Sequence, residues 1–422
     1  MSEVPPGSSP ASGGELSPAT AGLTPPDEHT RAALRRRRRD HLRRTMEAAG
    51  TDLLVLTNPV SIRYATDYRG YFSFQSRIPS AYLLLPVDGP VILHGAYTDA
   101  LDTIDRCETA HSVNSFDAGL DLSVAAARLA DDVRKAMAES GLGSDATIGV
   151  ERTTPTGHDA LADAGLRVVD AEPTVELARS RKIDGEREAI GHAIAVAERA
   201  MTLMYDRLVP GVSENELWSI VHQVNVANDG DSVDGRMLCS GPRTNPWYQE
   251  AGARRIEAGD LVAFDTDMIG PFGYCADLSR TWRCGPDLRP SPTQRDLHAR
   301  ALAEIEHNMA LLRPGASFAE LSQAAFRQDE EFVANRYACV FHGVGLSDEY
   351  PKIPYPQDWH WTGYDGELEA DVVLSVESYV GASGGAEGVK LEQMVWVSET
   401  GVEPLSGFPL DLVPDLGRSD HR

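Results

Sequence analysis

Six residues in the second half of the chain have the types and settings that chemistry needs: Asp265, Asp267, Asp277, His342, Glu377 and Glu392. Asp265 closes the apolar run Leu261-Val262-Ala263-Phe264, and Glu377 follows Val372-Val373-Leu374-Ser375-Val376. A carboxylate in such company leaves water, which is costly unless it is paired or bound to a metal. Any one of these acids could instead cap a turn or pair with Arg280 or Arg283. Five acids and one histidine, with few basic residues nearby in sequence, exceed what salt bridges can neutralise. A pair of divalent cations neutralises them directly, because carboxylates can bridge two ions.

The elements that must position these groups repeat one pattern. Ile256-Glu257-Ala258-Gly259-Asp260-Leu261-Val262-Ala263-Phe264-Asp265 is echoed by Leu368-Glu369-Ala370-Asp371-Val372-Val373-Leu374-Ser375-Val376-Glu377. Each is a turn, a buried strand and a carboxylate, followed by a Gly-containing turn and a returning strand that carries Asp277 or Glu392. Two such hairpins predict a pseudo-twofold α+β domain with its site at the centre. Upstream, Arg181-Lys182-Ile183-Asp184 leads into a long helix over 186–208, which Pro210-Gly211 ends, and Ser213 with Glu216 forms a capping box for the next helix. Before that, apolar runs at 52–57, 81–85 and 147–150 alternate with helical stretches such as 122–140, which predicts an α/β domain.

The chain has 422 residues, enough for two to three domains of about 150 each. Residues 1–27 are rich in Pro, Ser, Gly, Ala and Thr and read as a disordered tail. The expected division is this tail, an N-terminal domain over 28–180, a catalytic domain over 181–415 and a short tail over 416–422. Helix 29–49 contains the run Arg35-Arg36-Arg37-Arg38-Arg39, expected to be a solvated face opposite Leu34, Leu42 and Met46. The net charge of −25 argues against nucleic acid as a partner, and no window of 18 apolar residues predicts a membrane span. Five scattered cysteines without a C-x-x-C pair predict free thiols, and with no export signal at the N-terminus they predict a cytoplasmic protein. Cys275 and Cys284 flank Asp277 at no zinc spacing. His94, His192 and His222 read as ordinary core or surface histidines.

The ordered set Asp265 or Asp267, Asp277, His342, Glu377, Glu392 resembles the metal ligands of the pita-bread family of creatinase, prolidase and methionine aminopeptidase. The preceding domain resembles that family's creatinase-type N-terminal domain. The resemblance implies a dinuclear metal site and a homodimer in which the N-terminal domain leans over the partner's site. Two departures separate the chain from the family's peptidases. The segment Ser240-Gly241-Pro242-Arg243-Thr244-Asn245-Pro246-Trp247-Tyr248 lacks their substrate-contacting histidine. In His342-Gly343-Val344-Gly345-Leu346-Ser347-Asp348-Glu349, Asp348 stands about where their second histidine falls.

These segments, with Phe264-Asp265-Thr266-Asp267, resemble a narrower group, the DddP-type dimethylsulfoniopropionate (DMSP) lyases. That resemblance implies β-elimination of DMSP to dimethyl sulfide and acrylate, with iron the expected metal, although a carboxylate-rich site also accepts manganese, zinc or cobalt. Asp348 is then the expected general base, provided that burial raises its pKa. The sulfonium is expected against aromatic faces, with Trp247, Tyr248, Tyr337, Trp359, Trp361 and Phe74 as candidates. The loop Asp358-Trp359-His360-Trp361 has the setting of a lid. The rival expectation is an Xaa-Pro peptidase or other C–N hydrolase of the same fold.

Overall fold

The computed structural model describes residues 19–95, 101–285 and 289–416. Most of the expected N-terminal tail, and positions 417–422, lie outside the described residues. The tail expectation is corrected for 19–27, which pack on the body. Ala19 is buried and its carbonyl accepts the Asn228 side-chain amide, while Asp27 caps the first helix by accepting the Thr30 N–H at 2.8 Å. Leu416 likewise packs on the core.

That helix, Glu28–Ala49, ends at Gly50, whose left-handed φ of 69° suits glycine. Five consecutive arginines at 100° per residue cannot share one face. Arg35 and Arg38 therefore turn inward, correcting the solvated-face expectation. Arg38 reaches the Tyr274 hydroxyl and the Asp67 carboxylate, and Arg35 pairs with Asp102 at 2.7 Å.

The N-terminal domain is a six-stranded sheet of β1 (Leu53–Leu56), β2 (Tyr82–Pro86), β3 (Ile92–His94), β4 (Arg106–Glu108), β5 (Thr147–Val150) and β6 (Arg167–Asp170), in the order β4-β3-β2-β1-β5-β6. β1 runs antiparallel to β2 and parallel to β5. Its residues are all buried because both faces are covered. Leu53 and Val55 meet the helix Ser123–Glu139, and Leu54 and Leu56 meet Leu42 and Met46 of the first helix.

The second domain begins with helices Glu186–Arg207 and Glu214–Ala227, the latter opened by the Ser213/Glu216 capping box. Its strands are β7 (Ser232–Val233), β8 (Leu238–Ser240), β9 (Leu261–Asp265), β10 (Met268–Ile269), β11 (Cys275–Ala276), β12 (Ser279–Arg283), β13 (Phe341–Val344), β14 (Asp348–Ile353), β15 (Val372–Val380), β16 (Val389–Ser398) and β17 (Gly401–Pro404). They form two three-stranded sheets, β11-β10-β7 and β12-β9-β8, and a five-stranded antiparallel sheet, β14-β13-β15-β16-β17. The two expected hairpins are β9–β12 and β15–β16. In the first, Asp265 lies opposite Ser279; in the second, Glu377 lies opposite Glu392. The Thr281 hydroxyl ties β12 to β16 by accepting the Lys390 N–H at 3.0 Å and donating to the Lys390 carbonyl at 2.8 Å. Asp277 stands in the break between β11 and β12 instead of on a strand. Among the described residues, no helix is long and apolar enough to cross a membrane.

Candidate metal centre

Strand alternation brings the acids together. Asp265 ends β9, Glu377 and Glu392 face each other across β15 and β16, and Asp277 enters from the break before β12. His342 on β13 lies beside β15 and points at the same spot. Its Nε2 is 3.3 Å from Glu377 Oε1, 3.5 Å from Asp277 Oδ2 and 3.8 Å from Glu392 Oε1. Three overlapping groups have ligand atoms within 4.8 Å of one another: Asp265, Asp277 and Glu392; His342, Glu377 and Glu392; and Asp277, His342 and Asp348. Asp267 stands apart from these groups, on backbone turned to a φ of 36°, although its carboxyl feels the charges of Asp265 and Glu392.

The cluster contains a cation that the sequence reading missed. Lys390, fully buried on β16, sits 2.5 Å from Glu377 Oε2, 3.3 Å from Asp265 Oδ2 and 3.5 Å from Glu392 Oε2. It also donates to Ser279 Oγ at 2.6 Å, and Ser279 in turn donates to Glu392 at 2.8 Å. Three carboxylates hold this ammonium well above the usual lysine range despite its burial. The signal was its spacing: Lys390 and Glu392 are two apart on one strand and share a face. Arg280 does not pair with the cluster; its guanidinium donates to main-chain carbonyls at Pro409, Ser279, Glu392 and Phe408 and to the Gln393 side chain.

One ammonium does not satisfy the acids. Burial and neighbouring carboxylates raise Asp265 to about 6 and Asp267 to about 9, and push Asp277 far above the carboxylate range. Burial would lower His342, yet its hydrogen bond to Glu377 and the charges of Asp348, Glu377 and Glu392 lift it to about 10. Asp265 Oδ1 and Glu392 Oε1 are buried without a hydrogen-bond partner. Orphaned carboxylate oxygens that converge with a histidine nitrogen are the donor set a divalent cation takes, so the residues present fit a metal.

A cavity of about 510 Å³ opens beside His342 and Asp348 and is also lined by Tyr248, Tyr337, Tyr350, Lys352 and Tyr364. Asp348 Oδ1 lies 3.7 Å from His342 Nδ1, but the Asp348 side chain is 71% exposed, so this chain alone does not supply the burial expected of it. Tyr337 and Tyr248 stack with centroids 5.5 Å apart, and Lys390 Nζ lies 4.4 Å from the Tyr337 centroid. Trp247 is buried against Tyr379 and does not line the cavity.

Two aromatic expectations are corrected, and a third residue lies elsewhere in the chain. Trp359 and Trp361 lie on one short helix, where two residues apart means opposite sides. Trp359 is half-buried against the core of the catalytic domain, and Trp361 faces solvent. Phe74 sits on the N-terminal domain near Tyr71 and Phe116, away from this cavity. Tyr350, Tyr364 and Lys352 went unread because nothing in the sequence ties β14 and the segment after it to the metal cluster. His94 Nδ1 donates to the Thr109 carbonyl at 3.0 Å and the ring stacks on Tyr82, as an ordinary core histidine does.

Comparison with known proteins gives two family matches: the metallopeptidase family M24 over residues 188–399 and the creatinase/prolidase N-terminal domain over 38–181. The chain is 34% identical to the dimethylsulfoniopropionate lyase DddP of Roseovarius nubinhibens over 405 residues, 93% of this chain and 89% of that protein. It is equally similar to the DddP of Roseobacter denitrificans, 34% identical over 402 residues with the same coverage. Among solved structures, the X-Pro aminopeptidase of Thermotoga maritima superposes with a TM-score of 0.70 at 21% identity, covering 89% of this chain and 98% of that one, which establishes the shared fold.

Proposed function

The chain belongs to metallopeptidase family M24 and, within it, to the family of the DddP lyases, and on that premise we propose that it cleaves DMSP to dimethyl sulfide and acrylate. The observation that carries this reading is Asp348. Among the acids gathered around His342 it is the one open to the cavity, free of Lys390, and it occupies the place where the hydrolytic relatives are expected to use a histidine.

In the proposed reaction the Asp348 carboxylate takes a proton from the carbon next to the substrate carboxylate. The electron pair of that C–H bond becomes the C=C bond of acrylate, the C–S bond breaks, and its electrons leave on sulfur as neutral dimethyl sulfide. No leaving-group proton is needed, which accounts for the absence of both peptidase histidines. Asp265, Asp277, His342, Glu377 and Glu392, with Asp267 beside them, would hold the two divalent ions, iron being the metal the resemblance favours. Bound there, the ions would polarise the substrate carboxylate and so acidify the neighbouring C–H. Lys390 pairs with both Glu377 and Glu392 and so holds them in place. Tyr248 and Tyr337 offer neutral faces to the sulfonium, because burial raises Tyr248 to about 12 and lifts Tyr337 well above the usual tyrosine range.

The chain is proposed to act as a homodimer. Supporting this, Asp348 is open in the single chain, and Tyr71, Phe74 and Phe116 form a largely exposed aromatic group on the N-terminal domain, suited to covering a partner's site. The test is to follow both products from DMSP with metal-loaded protein: equal amounts of acrylate and dimethyl sulfide support the lyase, and neither product overturns it.

A further inference from the structure

The turn that carries Asp348 has a buried anchor. Glu349, the next residue, borders the same cavity, and its carboxylate is fully buried at the boundary between the two domains. There Lys182, from the linker, lies 2.7 Å from its Oε2 and donates also to the Arg179 carbonyl at 2.6 Å. Arg179, from the last helix of the N-terminal domain, places Nε 3.2 Å from Oε1 and also pairs with Glu176. The same carboxylate reaches back along its own turn and accepts the Leu346 N–H at 2.9 Å. Gly345 makes room for it: a Cβ there would come within 2.3 Å of Glu349 Oε2. The Gly345 carbonyl in turn accepts the Cys275 N–H at 2.7 Å, two residues from Asp277.

Two buried cations around one buried carboxylate, beside an exposed one, is a costly arrangement. It fixes the path of residues 345–349, and with it where Asp348 stands relative to His342. We propose that Glu349, held by Arg179 and Lys182, is a positioning residue that sets Asp348 over the metal centre and ties its placement to the joint between the domains. The proposal rests on Asp348 being the base.

The test is a double-mutant cycle with an independent structural readout. Glu349→Gln keeps the size and an acceptor for Leu346 but loses the charge. Its kcat for DMSP should fall by about 10²-fold with KM little changed, the loss expected from a group displaced by about 1 Å. In an Asp348→Ala background the same change should cost less than about twofold, since there is no base left to misplace. Multiplying losses in the double mutant would overturn the proposal in favour of a general structural role. Amide hydrogen exchange is measured in parallel: in Glu349→Gln it should speed up at 345–349, Leu346 above all, and unchanged exchange there would overturn the proposal. If Glu349→Gln does not fold, Lys182→Met, which removes one of the two cations, is read in the same way. If wild type leaves DMSP intact, or Asp348→Ala is fully active, the lyase reading itself has failed, and the exchange result alone decides whether Glu349 positions this turn.

Discussion

Lys390→Met isolates the charge balance of the site. In the metal-free protein the substitution removes an ammonium that touches Glu377, Asp265, Glu392 and Ser279, all buried. Taking one partner from a buried ionic group costs about 3–5 kcal/mol, because the remaining charges are left uncompensated. For a domain the size of the catalytic one this corresponds to a fall of roughly 10 °C in Tm. A divalent ion restores the missing positive charge, so saturating metal should recover much of the loss. The variant should also bind metal at least as tightly as wild type, since its carboxylates lack a competing cation. Thermal unfolding of chelator-treated and metal-loaded samples of both proteins reads these quantities. An unchanged Tm in the metal-free variant, or an equal loss with and without metal, would refute the view that Lys390 compensates charge at a metal centre.

Other outcomes follow from the same geometry. Asp277→Ala should lose bound metal, measured by elemental analysis, and turnover with it, because Asp277 belongs to two of the three converging groups. Tyr248→Leu should raise KM for a sulfonium substrate at least about threefold with kcat little changed, the size of a partly exposed cation–π contact; steady-state kinetics check this. Glu304, buried under hydrogen bonds from Ser378, Gln328 and Tyr355, is raised by burial from 4.5 to about 7. The folded state then holds a proton that the unfolded state releases above about pH 4.5, so this group's contribution declines as pH rises from about 4.5 to 7. The decline amounts to about 3 kcal/mol, and Glu304→Gln should abolish it in unfolding measurements across that range.

Much of the site could be read from residue order because buried acids at strand ends are costly and therefore informative. Asp265 and Glu377 announced themselves by the apolar runs before them, and the echo between the hairpins added Glu392 and anticipated that they would meet. The strand and helix boundaries followed the same apolar patterns: the helix expected over 186–208 spans Glu186–Arg207, and the strand at 147–150 spans Thr147–Val150. Lys390 escaped notice because a lone lysine in a strand ordinarily means a solvated face, whereas β16 is covered on both sides. The aromatic expectations failed for a different reason. Trp359 and Trp361 are near the site in sequence pattern only, and side-chain direction on a short helix is a tertiary property. Asp348 was expected to act as base on condition of burial, and its exposure depends on what covers the cavity, which the sequence of one chain does not encode locally. Arg35 and Arg38 show the reverse error, charged residues drawn inward because a crowded domain boundary supplied Asp102, Asp67 and Tyr274 as partners.

The central claim is that Asp348 drives elimination at a metal centre. Headspace gas chromatography of metal-loaded protein with DMSP, run beside Asp348→Ala and a proline-containing dipeptide, tests it directly. The account predicts dimethyl sulfide from wild type, only a small residual rate from Asp348→Ala although that variant keeps its metal, and no amino acid released from the dipeptide. Dipeptide hydrolysis without dimethyl sulfide, or full lyase activity in Asp348→Ala, would contradict it.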